Sequence, residues 1–273
     1  MTDWREFRSA WTPPAVSRWA AQRHSELRNT FREFDGTWGQ AEASVTGYQD
    51  QTILDRVITA TRAVEAGEAS MERDSVLFEE REYTFPLATA LLQAAAVDGR
   101  LSVLDFGGSL GSTYRQHQPL LDRLPDVTWS VVEQPGFVSA GQEQFESERL
   151  RFFESPRECW DQTRPNVVVL ASSLQYLEKP HHVLRELAES GPRSIVVDRT
   201  SISDSSHDQL CIQRVPEAIY PAQYPMWVLS RERVLASLPT GWSVLASYDS
   251  GHGSVETDRG LRFTWAGMIL QRD

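Results

Sequence analysis

The most informative stretch for the fold is VLDFGGSLGSTY, residues Val103 to Tyr114. An apolar run meets an acid, Asp105, and then a cluster of glycines, after which the pattern is typical of a helix start. A strand that turns through glycines into a helix is a frequent way for an α/β protein to hold a ligand. The composition of the loop indicates which ligand it accepts.

Two familiar glycine loops do not fit this stretch. The phosphate loop of nucleotide hydrolases requires G-x-x-x-x-G-K-[ST], and here both the lysine and the spacing are missing. A dinucleotide loop requires G-x-G-x-x-G, which Gly107, Gly108 and Gly111 do not match in any frame. The carboxylate of Asp105 would also oppose a pyrophosphate.

The pattern that fits best is D-x-G-x-G-x-G, the loop of enzymes that bind S-adenosylmethionine (SAM). Asp105, Gly107 and Gly111 match it, and Ser109 stands where the middle glycine would be. SAM carries no phosphate but has an α-ammonium group that suits a carboxylate, and glycines let the backbone approach its methionine tail. A plain tight turn between strand and helix is the alternative, because Ser109 weakens the motif.

A second acid follows one βαβ unit later. Glu133, with Gln134 beside it, ends the next predicted strand, where ribose hydroxyls would lie. Enzymes that bind NAD share this acid, so it favours SAM only together with Asp105. Residues after the third predicted strand are expected to flank the adenine: Phe153, Glu154 and Ser155.

From Leu101 onward, predicted strands and helices alternate, and the strands are apolar runs typical of a sheet that is covered on both faces. We expect a mostly parallel, doubly wound α/β sheet, closed by two final strands, with the ligand at the carboxyl ends of the strands. Residues 1 to 98 predict mostly helix. The prediction is therefore a helical cap over 1–98 and a Rossmann-like core over 99–273. Within the cap, MERDSVLFEE is expected to be an ordered connection or a short helix.

Composition excludes several function classes. A net charge of −11 over 273 residues argues against nucleic acid and anionic membranes as partners. No apolar run could span a membrane and the N-terminus lacks the apolar core of a signal peptide, so we expect a cytoplasmic protein. Cys159 and Cys211 lack zinc spacing, and no other ligand pattern predicts a metal. Lys179 is the only lysine, which leaves little room for Schiff-base chemistry.

The similarity to a known family extends well beyond the loop. In this order, VLDFGGSLGSTY, SVVEQPGFV, LQYLEKP and YPMWVLSRE resemble segments of a family of SAM-dependent methyltransferases, which bacteria often carry in surface-polysaccharide and natural-product gene clusters. MERDSVLFEE resembles the family's N-terminal part, so the resemblance covers roughly Trp38 to Trp242. It implies the class I methyltransferase fold under a helical cap. The same family includes synthases of azetidine-2-carboxylate, which cyclise SAM instead of donating its methyl group.

The fourth predicted strand ends in ASSLQYLEKP, where methyltransferases often place a catalytic residue. Ser172 and Ser173 are expected at the cofactor, and no strong base is present. The α-amine of a bent SAM, with a pKa of about 7.7–8.0, could still displace the sulfur at its own γ-carbon. Tyr176 would offer the sulfonium an aromatic face. Ser203, expected in a loop after the fifth strand, would accept the amine proton, and Ser139 is a weaker candidate.

Three functions stay open on this basis, each with a small-molecule ligand. The leading one is cyclisation of SAM to azetidine-2-carboxylate with release of methylthioadenosine. The alternative is methyl transfer to a sugar or a natural-product intermediate, and the third is a SAM-binding module without catalysis. In the cap, Arg73 and Asp74 either clamp a substrate carboxylate or form a surface ion pair. The oligomeric state cannot be predicted.

Overall fold

The computed structural model describes residues 30–45, 50–214 and 222–273. Its helices in these ranges are α1 (Trp38–Ser44), α2 (Asp50–Glu65), α3 (Phe85–Asp98), α4 (Ser112–Leu121), α5 (Pro135–Gln144), α6 (Pro156–Thr163), α7 (Pro180–Glu189) and α8 (Arg231–Ala236). Its strands are β1 (Phe31–Glu33), β2 (Met71–Arg73), β3 (Val76–Phe78), β4 (Leu101–Phe106), β5 (Val127–Val132), β6 (Leu150–Phe153), β7 (Val167–Ala171), β8 (Ser194–Ser203), β9 (Gln209–Arg214), β10 (Gln223–Ser230), β11 (Trp242–Glu256) and β12 (Arg262–Arg272).

The central sheet confirms the predicted α/β class. Its strands follow the order β6-β5-β4-β7-β8-β12-β11. The pairs from β6 to β8 are parallel, and β12 runs antiparallel to both β8 and β11. Parallel strands need crossover connections, and α4, α5, α6 and α7 lie in those connections. This is the mostly parallel, doubly wound arrangement that the sequence predicts, so the carboxyl ends of β4, β5 and β7 share one edge.

A second set of strands extends the sheet where the sequence predicts an irregular stretch. β7 pairs with the first half of β8 and ends at Ala171. Beyond that point, β10 pairs with the last residues of β8. β10 pairs with β9, and β9 pairs with β1. Ser203 is therefore the last residue of a buried strand, and the prediction that it lies in a loop is wrong. Serine is a polar residue that is usually exposed, but neighbouring strands bury the serines of β8.

The segment MERDSVLFEE forms a hairpin of β2 and β3, so it is an ordered connection, and the alternative of a short helix is wrong. Asp74 and Ser75 both have positive φ, which is the geometry of a two-residue hairpin turn. The hairpin is fixed to the start of α4, because the Ser112 hydroxyl donates a hydrogen bond to the buried carboxylate of Glu72. The Arg81 guanidinium donates to carbonyl groups further along α4.

The helices α2 and α3 of the predicted cap share an apolar cluster with the sheet. Ile53, Leu54, Leu87 and Leu91 are buried in the same cluster as Trp129 of β5. The division of the chain between residues 98 and 99 stays a prediction, and residues 1–29 of the cap lie outside the described ranges. Within those ranges, no helix has the length and apolar character needed to cross a membrane.

At the opposite edge, Asn166 ties the amino ends of three strands together. Its buried side chain accepts a hydrogen bond from the Ser102 amide (2.9 Å) and donates to Asp98 (2.8 Å) and to the Arg100 carbonyl (2.9 Å). Its own carbonyl accepts from the Arg193 amide at 2.9 Å. The Asn166 side chain thus holds the end of α3 and the start of β4, and its backbone carbonyl holds the approach to β8.

We expect Asn166→Ala to lower the free energy of unfolding by about 2–3 kcal/mol, because the buried Ser102 amide would lose its acceptor. Urea denaturation followed by circular dichroism measures the change. Gln162→Ala, an exposed position in α6, is the matched control and should change stability by less than about 0.5 kcal/mol. Equal effects of the two substitutions would contradict this role of Asn166.

Candidate functional site

The Asp105 carboxylate lies at the end of β4 and is completely buried. The Trp129 indole of β5 donates a hydrogen bond to its Oδ2 at 3.0 Å, whereas Oδ1 is buried without a partner among the described residues. Burial raises the pKa of Asp105 to about 7, although the Trp129 hydrogen bond and the nearby Arg199 charge both lower it. One carboxylate oxygen is thus left for a hydrogen-bond donor or a cation.

The glycine turn lies directly over this carboxylate. A Cβ atom at Gly108 would stand 2.5 Å from Asp105 Oδ2, so only glycine fits there. A Cβ atom at Gly107 would stand 2.7 Å from the Ser173 Cβ, which shows how closely the ends of β4 and β7 approach. Gly111 caps the start of α4. The structure thus brings the predicted glycine loop and Ser173 together.

Glu133 follows β5 and binds the same turn. Its Oε1 accepts a hydrogen bond from the Ser109 amide (3.3 Å), and its Oε2 accepts from the Gln134 amide (2.7 Å). Burial raises the pKa of Glu133, and the two amide hydrogen bonds lower it. Gln134 is exposed and caps α5. A carboxylate held by backbone amides keeps further lone pairs for hydroxyl donors such as those of a sugar.

The three residues predicted after the third strand have different surroundings. Phe153 is buried at the end of β6, and Glu154 is exposed. The Ser155 hydroxyl accepts a hydrogen bond from the Glu158 amide at 3.2 Å, so it caps α6. The cap explains Ser155 without a ligand, and its predicted contact with an adenine ring stays a prediction.

After β7 the chain enters a short 3-10 turn, Leu174–Tyr176. Ser172 takes a positive φ of 60° there, and its amide donates to the Asp198 carbonyl at 2.9 Å. The Tyr176 hydroxyl donates to Gln213 Oε1 at 2.9 Å, and its ring meets Tyr224 edge-on at 5.2 Å between centroids. Tyr176 is therefore held against β9 and β10.

Two further predicted catalytic residues lie on β8 and on α5. Ser203 ends β8 beside Ser230, and its hydroxyl is buried without a partner among the described residues. Ser139 is exposed in α5. Their participation in a reaction stays a prediction.

Several buried polar atoms at this edge lack a hydrogen-bond partner within the described ranges. Four of these atoms lie on β4, on the segment that follows β7, and on β8. They are Asp105 Oδ1, Ser173 Oγ, Gln175 Oε1 and Ser203 Oγ. Leaving a buried polar group unpaired costs about 1–3 kcal/mol. Unpaired groups from three strand ends, next to a glycine turn, are typical of a site that a polar ligand completes.

Arg199 is a member of the site that the sequence analysis missed. It follows Asp198 in β8 with a positive φ of 46°, and its guanidinium binds Asp198 Oδ2 at 2.9 Å. Asp198 Oδ1 accepts from the Tyr248 hydroxyl (3.0 Å) and the Ser250 hydroxyl (3.3 Å). Positive φ in a residue with a side chain is strained, and such strain concentrates at functional sites. In sequence, Asp198, Arg199 and Thr200 show only their charges, which do not indicate where in the fold Arg199 lies.

His117 is a second residue that the sequence analysis missed. It is completely buried in α4, and its Nδ1 lies 3.0 Å from the Thr113 carbonyl, so Nδ1 carries the proton. Nε2 has no partner in the described part of the chain. Burial and then the Arg199 charge lower the pKa of His117, whereas Asp198 and the backbone carbonyls raise it. The buried His117 imidazole thus lies close enough to Arg199 for that charge to lower its pKa.

Two open cavities lie along the sheet. One of about 480 Å³ runs along β6, with Arg151, Phe153 and Glu158 in its wall, and one of about 390 Å³ lies near Asn166. Nowhere in the described ranges do three or more His, Cys, Asp or Glu side chains group as metal ligands would.

The comparisons with known proteins find similar structures only. No protein-family model and no curated protein matches the chain. The N-terminal domain of EvdMO1, solved with S-adenosylhomocysteine and D-fucose, is 17% identical with a TM-score of 0.48, over 80% of this chain and 97% of that one. Burkholderia thailandensis 1,6-didemethyltoxoflavin-N1-methyltransferase is 13% identical with a TM-score of 0.42, over 89% and 94%. The cyclase SpnF is 16% identical with a TM-score of 0.42, over 74% of each chain.

The raised pKa of Asp105 predicts how stability depends on pH. The folded protein keeps this proton up to about pH 7, whereas the unfolded chain loses it near 3.8, so this group makes the fold less stable as pH rises between those values. Asp105→Asn removes that penalty. We therefore expect the difference in free energy of unfolding between the Asp105→Asn variant and the parent to increase by on the order of 3 kcal/mol from pH 5 to pH 8.

Urea denaturation at both pH values measures this difference. Asp126→Asn, at an exposed position, is the control and should show a pH-independent difference from the parent. An Asp105→Asn difference that is also independent of pH would mean that the carboxylate is ionised throughout.

Proposed function

We propose that the protein is an enzyme that binds SAM at the carboxyl ends of β4, β5 and β7. The observation that carries this proposal is the set of unpaired buried atoms beside the glycine turn, above all Asp105 Oδ1 and Ser173 Oγ. An α-ammonium group could donate to both, because Gly107 and Ser173 are in contact. The Glu133 carboxylate, at the next strand end, would accept from the ribose hydroxyls.

The reaction that we propose is intramolecular cyclisation. The α-ammonium group of SAM first gives one proton to an acceptor. The resulting neutral amine attacks its own γ-carbon, the bond from that carbon to sulfur breaks, and the electron pair of that bond stays on sulfur. The products are azetidine-2-carboxylate, with a protonated ring nitrogen, and methylthioadenosine. The enzyme must hold nitrogen and carbon about 3–3.5 Å apart in a bent conformer.

Neutral groups at this edge support that chemistry. The oxygens of Ser173, Gln175 and Ser203 are buried acceptors without partners in the described ranges, and each could draw an amine proton. The Tyr176 ring would face the sulfonium, an interaction of about 0.5–2 kcal/mol. Its hydrogen bond to Gln213 and its contact with Tyr224 hold the ring in one orientation.

Methyl transfer to a small molecule is the second candidate, and His117 favours it. A hydroxyl or ammonium group must lose a proton before it can accept a methyl group, and a neutral imidazole with a free Nε2 is a suitable base. The acceptor would be a sugar or a natural-product intermediate. A SAM-binding module without turnover is the third candidate.

Glu133→Ala should weaken SAM binding by about tenfold or more, because the ribose would lose a charged acceptor. Isothermal titration calorimetry with SAM and with NAD measures this. Glu148→Ala, an exposed acid before β6, is a matched control and should leave affinity within about twofold. Unchanged SAM affinity in Glu133→Ala, or tight binding of NAD by the parent, would contradict the proposed ligand.

SAM alone should be a complete substrate. We expect methylthioadenosine and azetidine-2-carboxylate in equal amounts, without S-adenosylhomocysteine, when products are analysed by mass spectrometry. Tyr176→Ala should slow turnover by about tenfold or more and Tyr176→Phe much less, because the ring face carries the effect. Ser203→Ala should reduce turnover more than SAM affinity. If S-adenosylhomocysteine forms only after an acceptor is added, methyl transfer is the reaction.

A further inference from the structure

We propose that Arg73 of the hairpin and Arg199 of β8 together bind the carboxylate of an α-amino acid group. This inference rests on the proposed function, in which that group is the methionine end of SAM. It assigns the hairpin a part in ligand recognition, and it explains why two arginines from distant parts of the chain lie near one buried edge.

Arg73 is positioned for a ligand and has little else to bind. It ends β2, its side chain is 21% exposed, and its Nε is buried without a partner among the described residues. Its guanidinium carbon lies 5.5 Å from the centre of the Phe78 ring, which supports the flat side of the group. Its ion pair is with Glu82 at a long 3.4 Å, and Glu82 is 62% exposed. The ion pair that Arg73 forms is therefore with Glu82 and not with Asp74.

Arg199 brings a second charge to the same place. Its side chain is 13% exposed, and one of its nitrogens, Nη1, binds Asp198. Asp198 is completely buried and already accepts from Tyr248 and Ser250, so its two oxygens are in use. The remaining donors of the Arg199 fork are available for a ligand.

Of the three acids that act on Arg73, only Asp198 is buried. Burial lowers the pKa of Arg73, and the next cause is the Arg199 charge, whereas Glu82, Asp74 and Asp198 act in the opposite direction. Water screens the charges of the exposed Asp74 and Glu82, so Asp198 is the main buried counter-charge for the two arginines. An additional carboxylate would add a second counter-charge and accept paired hydrogen bonds.

The neighbourhood of Arg199 also selects an amino acid over a simple acid. The Arg199 carbonyl accepts a hydrogen bond from the Gln175 side chain at 3.2 Å, so Arg199 lies at the edge that holds Asp105, and its charge lowers the pKa of that acid. An α-amino acid carries a carboxylate and an ammonium group on one carbon, which matches this arrangement of opposite charges. With its carboxylate fixed at the arginines, the amine of SAM can turn toward its own γ-carbon.

Three adenosine ligands test the proposal by calorimetry: S-adenosylhomocysteine, its decarboxylated analogue, and methylthioadenosine, which lacks the amino acid. We expect the parent to bind S-adenosylhomocysteine about tenfold or more tightly than the decarboxylated analogue. Arg73→Ala should remove that preference and leave methylthioadenosine affinity within about twofold. Arg73→Lys should keep part of it, because lysine keeps the charge and loses the fork. Arg123→Ala, an exposed arginine, is the control for the loss of charge.

The outcomes separate the carboxylate site from the SAM site. If the parent binds S-adenosylhomocysteine and the decarboxylated analogue equally, the arginine pair is not a carboxylate site, although the proposed function stands. The same holds if Arg73→Ala keeps the preference. If the parent binds none of the three ligands, the proposed function itself fails. The comparison of ligands on the parent needs no substitution, so a variant that does not fold leaves the test intact.

Discussion

The buried carboxylate of Asp105 is the group around which the carboxyl edge of the sheet is built. It joins β4 to β5 through the Trp129 indole, and the turn closes over it so tightly that a Cβ atom at Gly108 would stand 2.5 Å from its Oδ2. A buried carboxylate needs hydrogen bonds or an opposite charge to stay in the interior. One acid therefore lies at the centre of the glycine turn, the start of α4 and the amide-bound Glu133. Only one of its two carboxylate oxygens has a hydrogen-bond partner among the described residues.

Arg199 connects this acid to the rest of the edge. Its charge lowers the pKa values of Asp105, Arg73 and His117, which belong to β4, the hairpin and α4. The positive φ of Arg199 occurs where β8 passes from β7 to β10. The exchange of neighbouring strands and the strained residue thus coincide, and the site lies where β7 leaves the sheet.

Two kinds of proton acceptor meet at this edge, and they suit different reactions. Ser173, Gln175 and Ser203 offer neutral oxygens, which suffice for an amine whose pKa is close to neutral. His117 offers an imidazole nitrogen, which could deprotonate a hydroxyl or an ammonium group of a second substrate. The hydrogen bond between Glu72 and Ser112 fixes the hairpin to the start of α4, next to the glycine turn.

Local sequence was enough to predict the alternation of strands and helices from Leu101, the glycine turn, and the acids Asp105 and Glu133 at neighbouring strand ends. These features follow from local backbone preferences and from the rule that parallel strands end at one edge. The three-dimensional structure was needed to find that Ser203 lies in a strand, that MERDSVLFEE is a hairpin, and that Arg73, His117 and Arg199 share one electrostatic environment. Burial by distant segments sets those outcomes, and a polar sequence carries no local signal of which distant segment will bury it.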